Sequence, residues 1–325
     1  MNFVLAPLAG FTDAPFRRMC RDGGADRVYT EMVSAAGLAH GSSPTRHLME
    51  TLPGDGPVAL QLFGATESDL AAATALVGRT VLRRADCPVV ELNLNAGCPM
   101  TKVTREGAGA KLIDDPAKIG RLLGAMKDNT DLPVTLKTRL GPHPQDVRIF
   151  EILDAAVSAG AAGLIVHARF TSQMHGGPTH LDLLRELVRR SPVPVTGNGS
   201  VTDAAQAAEM AETGVKAIMI GRAALSDPAI FASLKDPLRP PDRRTAADKA
   251  ADCRRHLELI LRFRAELAAA YPNDHVPGED AYASVKMHTH LFRYFNGLPG
   301  AAKLRARLNS VRTVAEINGI INNYV

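Results

Sequence analysis

The chain has 325 residues, 46% hydrophobic and 22% charged, which allows one large domain with a smaller one beside it and a sizeable core. No apolar run reaches the ~20 residues of a membrane-spanning helix, and residues 1–6 lack the basic start of a signal peptide, so neither a membrane segment nor a leader is expected. The net charge of +4 permits a polyanionic partner without requiring one. Cys20, Cys87, Cys98 and Cys253 lie far apart, with no pair at zinc-site spacing. No metal is expected, and a reducing cytoplasm is the expected compartment.

Short apolar or β-branched runs recur at residues 3–6, 27–30, 58–62, 89–94, 134–138, 163–167, 193–197 and 217–220. Alanine- and leucine-rich segments lie between them, among them 68–77, 116–126, 147–159, 181–189 and 204–212. Strand then helix, repeated at the ~30-residue pace of a βα unit, predicts an α/β fold, a closed (β/α)8 TIM barrel. The runs read as apolar throughout, as parallel strands covered on both faces should. Residues 236–245 are proline-rich and charged and read as a linker. Beyond them, 246–271, 281–295, 300–310 and 313–323 read as helices and no strand is expected. The expected division is a barrel over 1–235, a linker over 236–245 and a small all-helical domain over 246–325.

A barrel of this kind holds its active site at the C-terminal ends of its strands. The residues that end the runs are therefore the candidates. In order they are Ala6-Pro7-Leu8-Ala9-Gly10, Glu31, Gln61, Asn93 with Asn95, Lys137 with Arg139, His167 with Arg169, Gly197-Asn198-Gly199-Ser200, and Gly221-Arg222. One polar residue at a strand end is bland; one at nearly every strand, always at the same end, is hard to get by accident. In Asn93-Leu94-Asn95-Ala96-Gly97-Cys98-Pro99 two amides and a thiol leave a strand on a tight turn. A lone cysteine is more often a small buried hydrophobe. On a rigid turn, however, a thiol can exchange one proton at a fixed point, and neighbouring amides can bond a flat polar ring. Asn198-Gly199 and Gly221-Arg222 follow the seventh and eighth strands, where barrels often bind phosphate through backbone N–H groups. Gln61, Lys137 and His167 would then face a flat ring, with Lys137 placing positive charge where a reduced flavin is negative. The alternatives are a salt bridge from Lys137 to Glu31 and a satisfied core histidine at 167.

Taken together and in order, these pieces resemble the tRNA-dihydrouridine synthases. The match runs through Ala6-Pro7-Leu8-Ala9-Gly10-Phe11-Thr12-Asp13, Glu31-Met32, Gln61-Leu62-Phe63-Gly64, the segment from Glu91 to Pro99 with Lys102-Val103, Lys137-Thr138-Arg139, His167-Ala168-Arg169 and Gly197-Asn198-Gly199. It continues through Met219-Ile220-Gly221-Arg222 into a tail with Lys286-Met287-His288 and Gly297-Leu298-Pro299-Gly300. The chain departs from the family at Ala168-Arg169-Phe170, where Gly-Arg-Thr is usual, and at Ser200, where Asp is usual.

The resemblance implies an FMN-binding barrel followed by a helical tRNA-binding domain, acting on the C5–C6 double bond of a tRNA uridine. It implies that NADPH reduces the FMN, that hydride passes to C6, and that Cys98 protonates C5 as general acid, since a thiolate has no proton to give. Asn95, Arg139 and Arg169 would bind and orient the uracil. Ala6, Pro7, Leu8, Gln61, Lys137, His167, Asn198, Gly199, Gly221 and Arg222 would hold FMN. The target base would be accepted flipped out of its stack. Lys286, Arg293, Lys303, Arg305, Arg307 and Arg312, with Arg254, Arg255, Arg262 and Arg264 upstream, would contact tRNA phosphates; a charged helix face is otherwise simply solvated. A monomer is expected. The rival readings are another FMN barrel enzyme acting on a free pyrimidine such as dihydroorotate, and a non-catalytic RNA-binding module on a degenerate barrel.

Overall fold

The computed structural model describes residues 1–84, 86–236, 244–296, 307 and 310–323. Among them nine parallel strands form one sheet: β1 (Asn2–Leu5), β2 (Arg27–Tyr29), β3 (Val33–Ser34), β4 (Val58–Phe63), β5 (Val89–Ala96), β6 (Val134–Arg139), β7 (Leu164–His167), β8 (Val195–Asn198) and β9 (Ala217–Ile220). The order runs β2-β1-β9-β8-β7-β6-β5-β4, and pairing of β2 with β4 closes eight strands into a ring. β3 adds two residues to the free edge of β4's end. Helices Glu67–Thr80, Pro116–Lys127, Ile149–Ser158, Leu181–Arg190 and Ala204–Ala211 fill crossovers between successive strands. This is the TIM barrel that the repeat predicts.

β5 is not apolar throughout. Leu92 and Leu94 face outward into the main core with Ile119 and Leu122, while Glu91, Asn93 and Asn95 share the opposite, inward face. The barrel interior is accordingly divided. Val4, Ala6, Tyr29, Ala59, Ile165 and Met219 form a small apolar plug. The polar side chains of β5 are buried beside partners on β4 and β6.

Helix Ala14–Asp22 follows β1 and has no counterpart in the sequence reading. Pro15 sits in its first turn, where no N–H donor is needed, and the Asp13 carboxylate caps it by accepting from the Phe16 N–H at 3.1 Å. Its arginines disguise its buried face. Arg17 is only 1% exposed, and its guanidinium donates to the Asp55 carboxylate at 2.9 Å and to the carbonyls of Thr12 and Glu50.

Helices Ala246–Ala270, Glu279–Tyr294 and Val314–Asn322 enclose a second apolar core that includes Leu257, Ile260, Met287, Leu291 and Ile317. They dock on the barrel partly through helix Ala14–Asp22 and partly through Asp274, which meets Ser43, Arg46 and His47. The Phe16 ring lies 4.8 Å from His290 and 5.7 Å from His256, and Lys286 Nζ is 3.3 Å from the Asp13 carboxylate. The expected helix at 300–310 apart from residues 307 and 310, most of the expected linker, the Gly297-Leu298-Pro299-Gly300 motif, and Lys303 and Arg305 lie outside the described residues. No described helix is long and apolar enough to cross a membrane.

Candidate active site

Parallel register carries the polar strand ends to one rim. Gln61 stands opposite Asn93, Asn95 opposite Lys137, Arg139 opposite His167, and His167 opposite Asn198. Asn95 braces the turn that follows β5: its Oδ1 accepts the backbone N–H groups of Gly97 and Cys98 at 3.1 and 3.0 Å. Its Nδ2 donates to Gln61 Oε1 at 2.8 Å and to Met32 Sδ at 3.0 Å. Gly109 packs under the turn so closely that a Cβ there would lie 2.6 Å from the Cys98 carbonyl oxygen. The half-buried Cys98 is thus held from both sides.

Lys137 Nζ donates to Asn198 Oδ1 at 3.1 Å, and Asn198 Nδ2 donates to the Met219 carbonyl at 2.8 Å, which keeps the amide oxygen turned to the ammonium. The alternative salt bridge to Glu31 does not form. Glu31 accepts the Gly10 N–H instead, and its charge is felt by Lys286. Desolvation, with help from the Arg139 charge and against the pull of Cys98, brings the Lys137 pKa down to about 7. Desolvation also lowers the Arg139 pKa to about 10, again opposed by Cys98, so the thiol lies within electrostatic reach of both cations. His167 is pushed far below its ordinary value by burial and by Lys137, Arg139, Arg169 and His175. Arg169 Nη1 lies 3.2 Å from His167 Nε2; a guanidinium can only donate, so Nε2 accepts and the neutral imidazole carries its proton on Nδ1.

The arginines also hold a strap over the barrel mouth. Arg139 Nε donates to the Gly97 carbonyl at 2.9 Å, and its Nη1 to the carbonyls of Met174 at 2.8 Å and Phe170 at 3.2 Å. Arg169 donates to the carbonyls of Gly176 and Gly177 and to Ser200 Oγ. The exposed Arg222 reaches the His175 carbonyl at 3.2 Å, and the His175 ring stacks near His167 with centroids 6.1 Å apart. The strap is not legible in the sequence. Its acceptors are main-chain carbonyls, which every residue has, so no side-chain pattern announces it.

At the far side of the rim, Gly199 has φ +140° and lies against the His167 ring and Thr179. Gly221 precedes the short helix Arg222–Ser226 and adjoins Ala6 and Leu8. Gln61 is fully buried inside the amide ladder, and its Nε2 donates to Asn93 Oδ1 at 2.7 Å. The rim therefore collects Lys137, Arg139, Arg169 and Arg222, and none of them forms an ion pair with a carboxylate among the described residues. An uncompensated cationic set beside glycine backbone and a small apolar wall fits a flat group carrying negative charge. Among the described residues no group of three or more His, Cys, Asp or Glu side chains is placed to hold a metal ion.

Comparison with known proteins agrees with this geometry. The chain matches the family Dihydrouridine synthase (Dus) over residues 4–323. It is 31% identical to tRNA-dihydrouridine synthase B of Pseudomonas aeruginosa over 312 residues, covering 96% of this chain and 89% of that protein. It is 30% identical to a probable tRNA-dihydrouridine synthase of Mycobacterium leprae over 353 aligned positions, covering 98% and 87%. A probable tRNA-dihydrouridine synthase 1 of Synechocystis is 27% identical, covering 98% and 85%. A match that begins in β1 and runs through both cores to the last described helix leaves one assignment: the chain belongs to the dihydrouridine synthase family.

Proposed function

We propose that the protein is an FMN-dependent tRNA-dihydrouridine synthase that uses NADPH to reduce the C5–C6 double bond of a uridine in tRNA. The observation that carries this reading is a set of rim cations that no carboxylate pairs among the described residues, beside a thiol on a braced turn. Bound FMN, once reduced by NADPH, supplies the two electrons that saturate the uracil ring at C6. Lys137 and the neutral His167 would face the flavin ring, with Gln61 behind them. Asn198, Gly199, Gly221 and Arg222, with Ala6, Pro7 and Leu8, would take its remaining edge and phosphate.

Cys98 gives the proton that C5 needs on the opposite face. Arg139 Nη2 makes no hydrogen bond among the described residues and is available to a uracil oxygen. A base edge that reaches Asn95 displaces the contact to Met32, the weakest of the amide's four. Arg169 adds donors from the strap side. The base must leave its stack to bring C5 and C6 to the strand ends. Residues 1–235 act as the flavin barrel, 236–245 as the linker and 246–325 as the tRNA-binding domain. The four free thiols suit a reducing cytoplasm, and the protein works as a monomer.

The test uses protein loaded with FMN and reduced anaerobically by NADPH. Unmodified tRNA should reoxidise it rapidly and acquire dihydrouridine. Cys98→Ala should keep FMN and its reduction by NADPH while dihydrouridine formation falls about a hundredfold or more, the scale of a lost general acid. Near-normal turnover by that variant would remove Cys98 from the reaction. Rapid reduction of the bound FMN by dihydroorotate would replace the tRNA reading with the free-pyrimidine one.

A further inference from the structure

A continuous hydrogen-bonded chain crosses the barrel interior beneath the reacting thiol. At its lower end Glu91 pairs with Arg27 through one oxygen, while its other oxygen accepts from Tyr29 Oη at 2.9 Å and Thr135 Oγ1 at 2.5 Å. Asn93 Nδ2 donates to Thr135 Oγ1 at 2.7 Å, Gln61 Nε2 to Asn93 Oδ1 at 2.7 Å, and Asn95 Nδ2 to Gln61 Oε1 at 2.8 Å. Asn95 Oδ1 then receives the N–H groups of Gly97 and Cys98. Glu91, Asn93, Gln61, Thr135 and Asn95 are all at most 7% exposed, so water does not offer substitute partners.

Each link has a direction, and each direction follows from the one before. A carboxylate oxygen accepts, so the Thr135 hydroxyl must donate to it. The Thr135 oxygen is then left as an acceptor and draws the –NH2 of Asn93. The Asn93 oxygen in turn faces Gln61, and the Gln61 oxygen faces Asn95. The Asn95 oxygen is thereby aimed at the turn. Reversing one amide sets donor against donor at the next link unless the whole chain reverses, and a reversed chain points the Asn95 –NH2 at the N–H of Cys98. Buried networks of this kind are stable only when every member is satisfied.

We propose that Glu91 is a positioning residue that, through Thr135, Asn93 and Gln61, fixes the orientation of the Asn95 amide and so holds Cys98 in place. The proposal rests on the reading of Cys98 as proton donor only for its consequence in turnover. What Glu91 contributes is an acceptor facing Thr135. Charge is not required, because Arg27 is 41% exposed and can turn to water.

The experiment exploits the chain's four cysteines. Protein labelled with 15N-cysteine gives one amide signal each for Cys20, Cys87, Cys98 and Cys253. Glu91→Met removes the acceptor, and Thr135→Val cuts the chain while leaving Glu91, Arg27 and Tyr29 together. In both, the Cys98 amide signal should shift and its hydrogen exchange should rise about tenfold, the effect expected from losing one buried hydrogen bond. The other three signals should stay in place. In the FMN-loaded enzyme, kcat should fall about tenfold with the KM for tRNA within about twofold. Glu91→Gln, which keeps an oxygen toward Thr135 while the exposed Arg27 turns away to water, should keep both readouts near wild type.

An unmoved Cys98 amide in a folded Glu91→Met or Thr135→Val protein overturns the proposal. So does a Gln variant that behaves like Met, because charge and not acceptor direction would then be responsible. Movement of all four signals assigns Glu91 to general stability and also overturns it. The amide signal needs neither FMN nor turnover, so it decides this point even if Cys98→Ala proves fully active.

Discussion

Lys137 shows how far a single side chain can be read. A buried ammonium whose one hydrogen bond is to an amide oxygen 3.1 Å away is poorly compensated, and desolvation, with the Arg139 charge, brings its pKa down to about 7. An anion bound beside it raises that value. Above pH 7 binding must therefore take up a proton, and FMN affinity should be greatest below pH 7 and fall by up to about tenfold per unit above it. Lys137→Met should bind FMN more weakly at pH 6 and lose the pH dependence. Flavin fluorescence titrations of the apoprotein from pH 6 to 9 measure both, and a wild-type curve as flat as the variant's removes Lys137 from the site. Lys137, His167 and Asn198 were legible because each is a polar residue that ends an apolar run. Glu91 stands in the matched segment, but its link to Thr135 was not legible, because a polar residue in mid-strand carries no mark of which side it faces until the register is known. Arg139 and Arg169 were legible as rim residues, but their grip on strap carbonyls was not.

At the scale of elements the order of strands and helices was legible, and the misses have physical causes. β5 alternates because its inward face belongs to a polar ladder and only its outward leucines meet helices. Helix Ala14–Asp22 hides behind arginines, one of which is buried by pairing with Asp55, a residue 38 positions away. Ends of elements shift by one to three residues, as at β8, expected at 193–197 and found at Val195–Asn198. That shift matters, since it puts Asn198 on the strand and Gly199 at the turn. At φ +140° Gly199 has a backbone that L side chains rarely adopt, and a Cβ there would lie 3.0 Å from Thr179 Cγ2 and 3.2 Å from His167 Cδ2. Gly199→Ala should therefore cost about 1–3 kcal/mol of stability and displace His167, seen as loss of FMN on gel filtration. A variant that melts with wild type and keeps its flavin shows that the strap yields to the methyl group.

The two cores of the molecule meet where Lys286 descends from the helical tail to Asp13, beside Glu31 at the barrel mouth. The tail's arginines are less free than the sequence suggests: Arg255 pairs with Asp22, Arg262 with Glu266, and Arg264 with the Pro277 carbonyl. The Arg255 pairing is invisible in sequence because Asp22 lies on another element. Lys286 has the larger structural task. Burial alone would raise the Asp13 pKa, but Lys286, then His256 and His290, and the Phe16 N–H together hold it below its ordinary value. Glu31 is raised by burial, and Lys286 works against that rise. Lys286→Met leaves the Asp13 carboxylate, 7% exposed, without its cation. At pH 7 this should cost about 3–5 kcal/mol, the scale of breaking a buried pair. The sign with pH follows from the two states of Asp13. In wild type its depressed pKa contributes stability above the unfolded value of about 3.9, and that contribution is lost only as pH falls through the lower folded value. In the variant burial raises the pKa, so mild acid protonates the orphaned carboxyl and relieves its penalty. The stability gap between the two proteins should therefore narrow as pH is lowered from 7 to 4. Urea unfolding at both pH values measures it; a gap that stays constant, or that is under about 1 kcal/mol at pH 7, would show that the Lys286–Asp13 pair does not hold the tail to the barrel, and that the apolar contacts, the Phe16–His290 ring contact and pairs such as Arg255–Asp22 do.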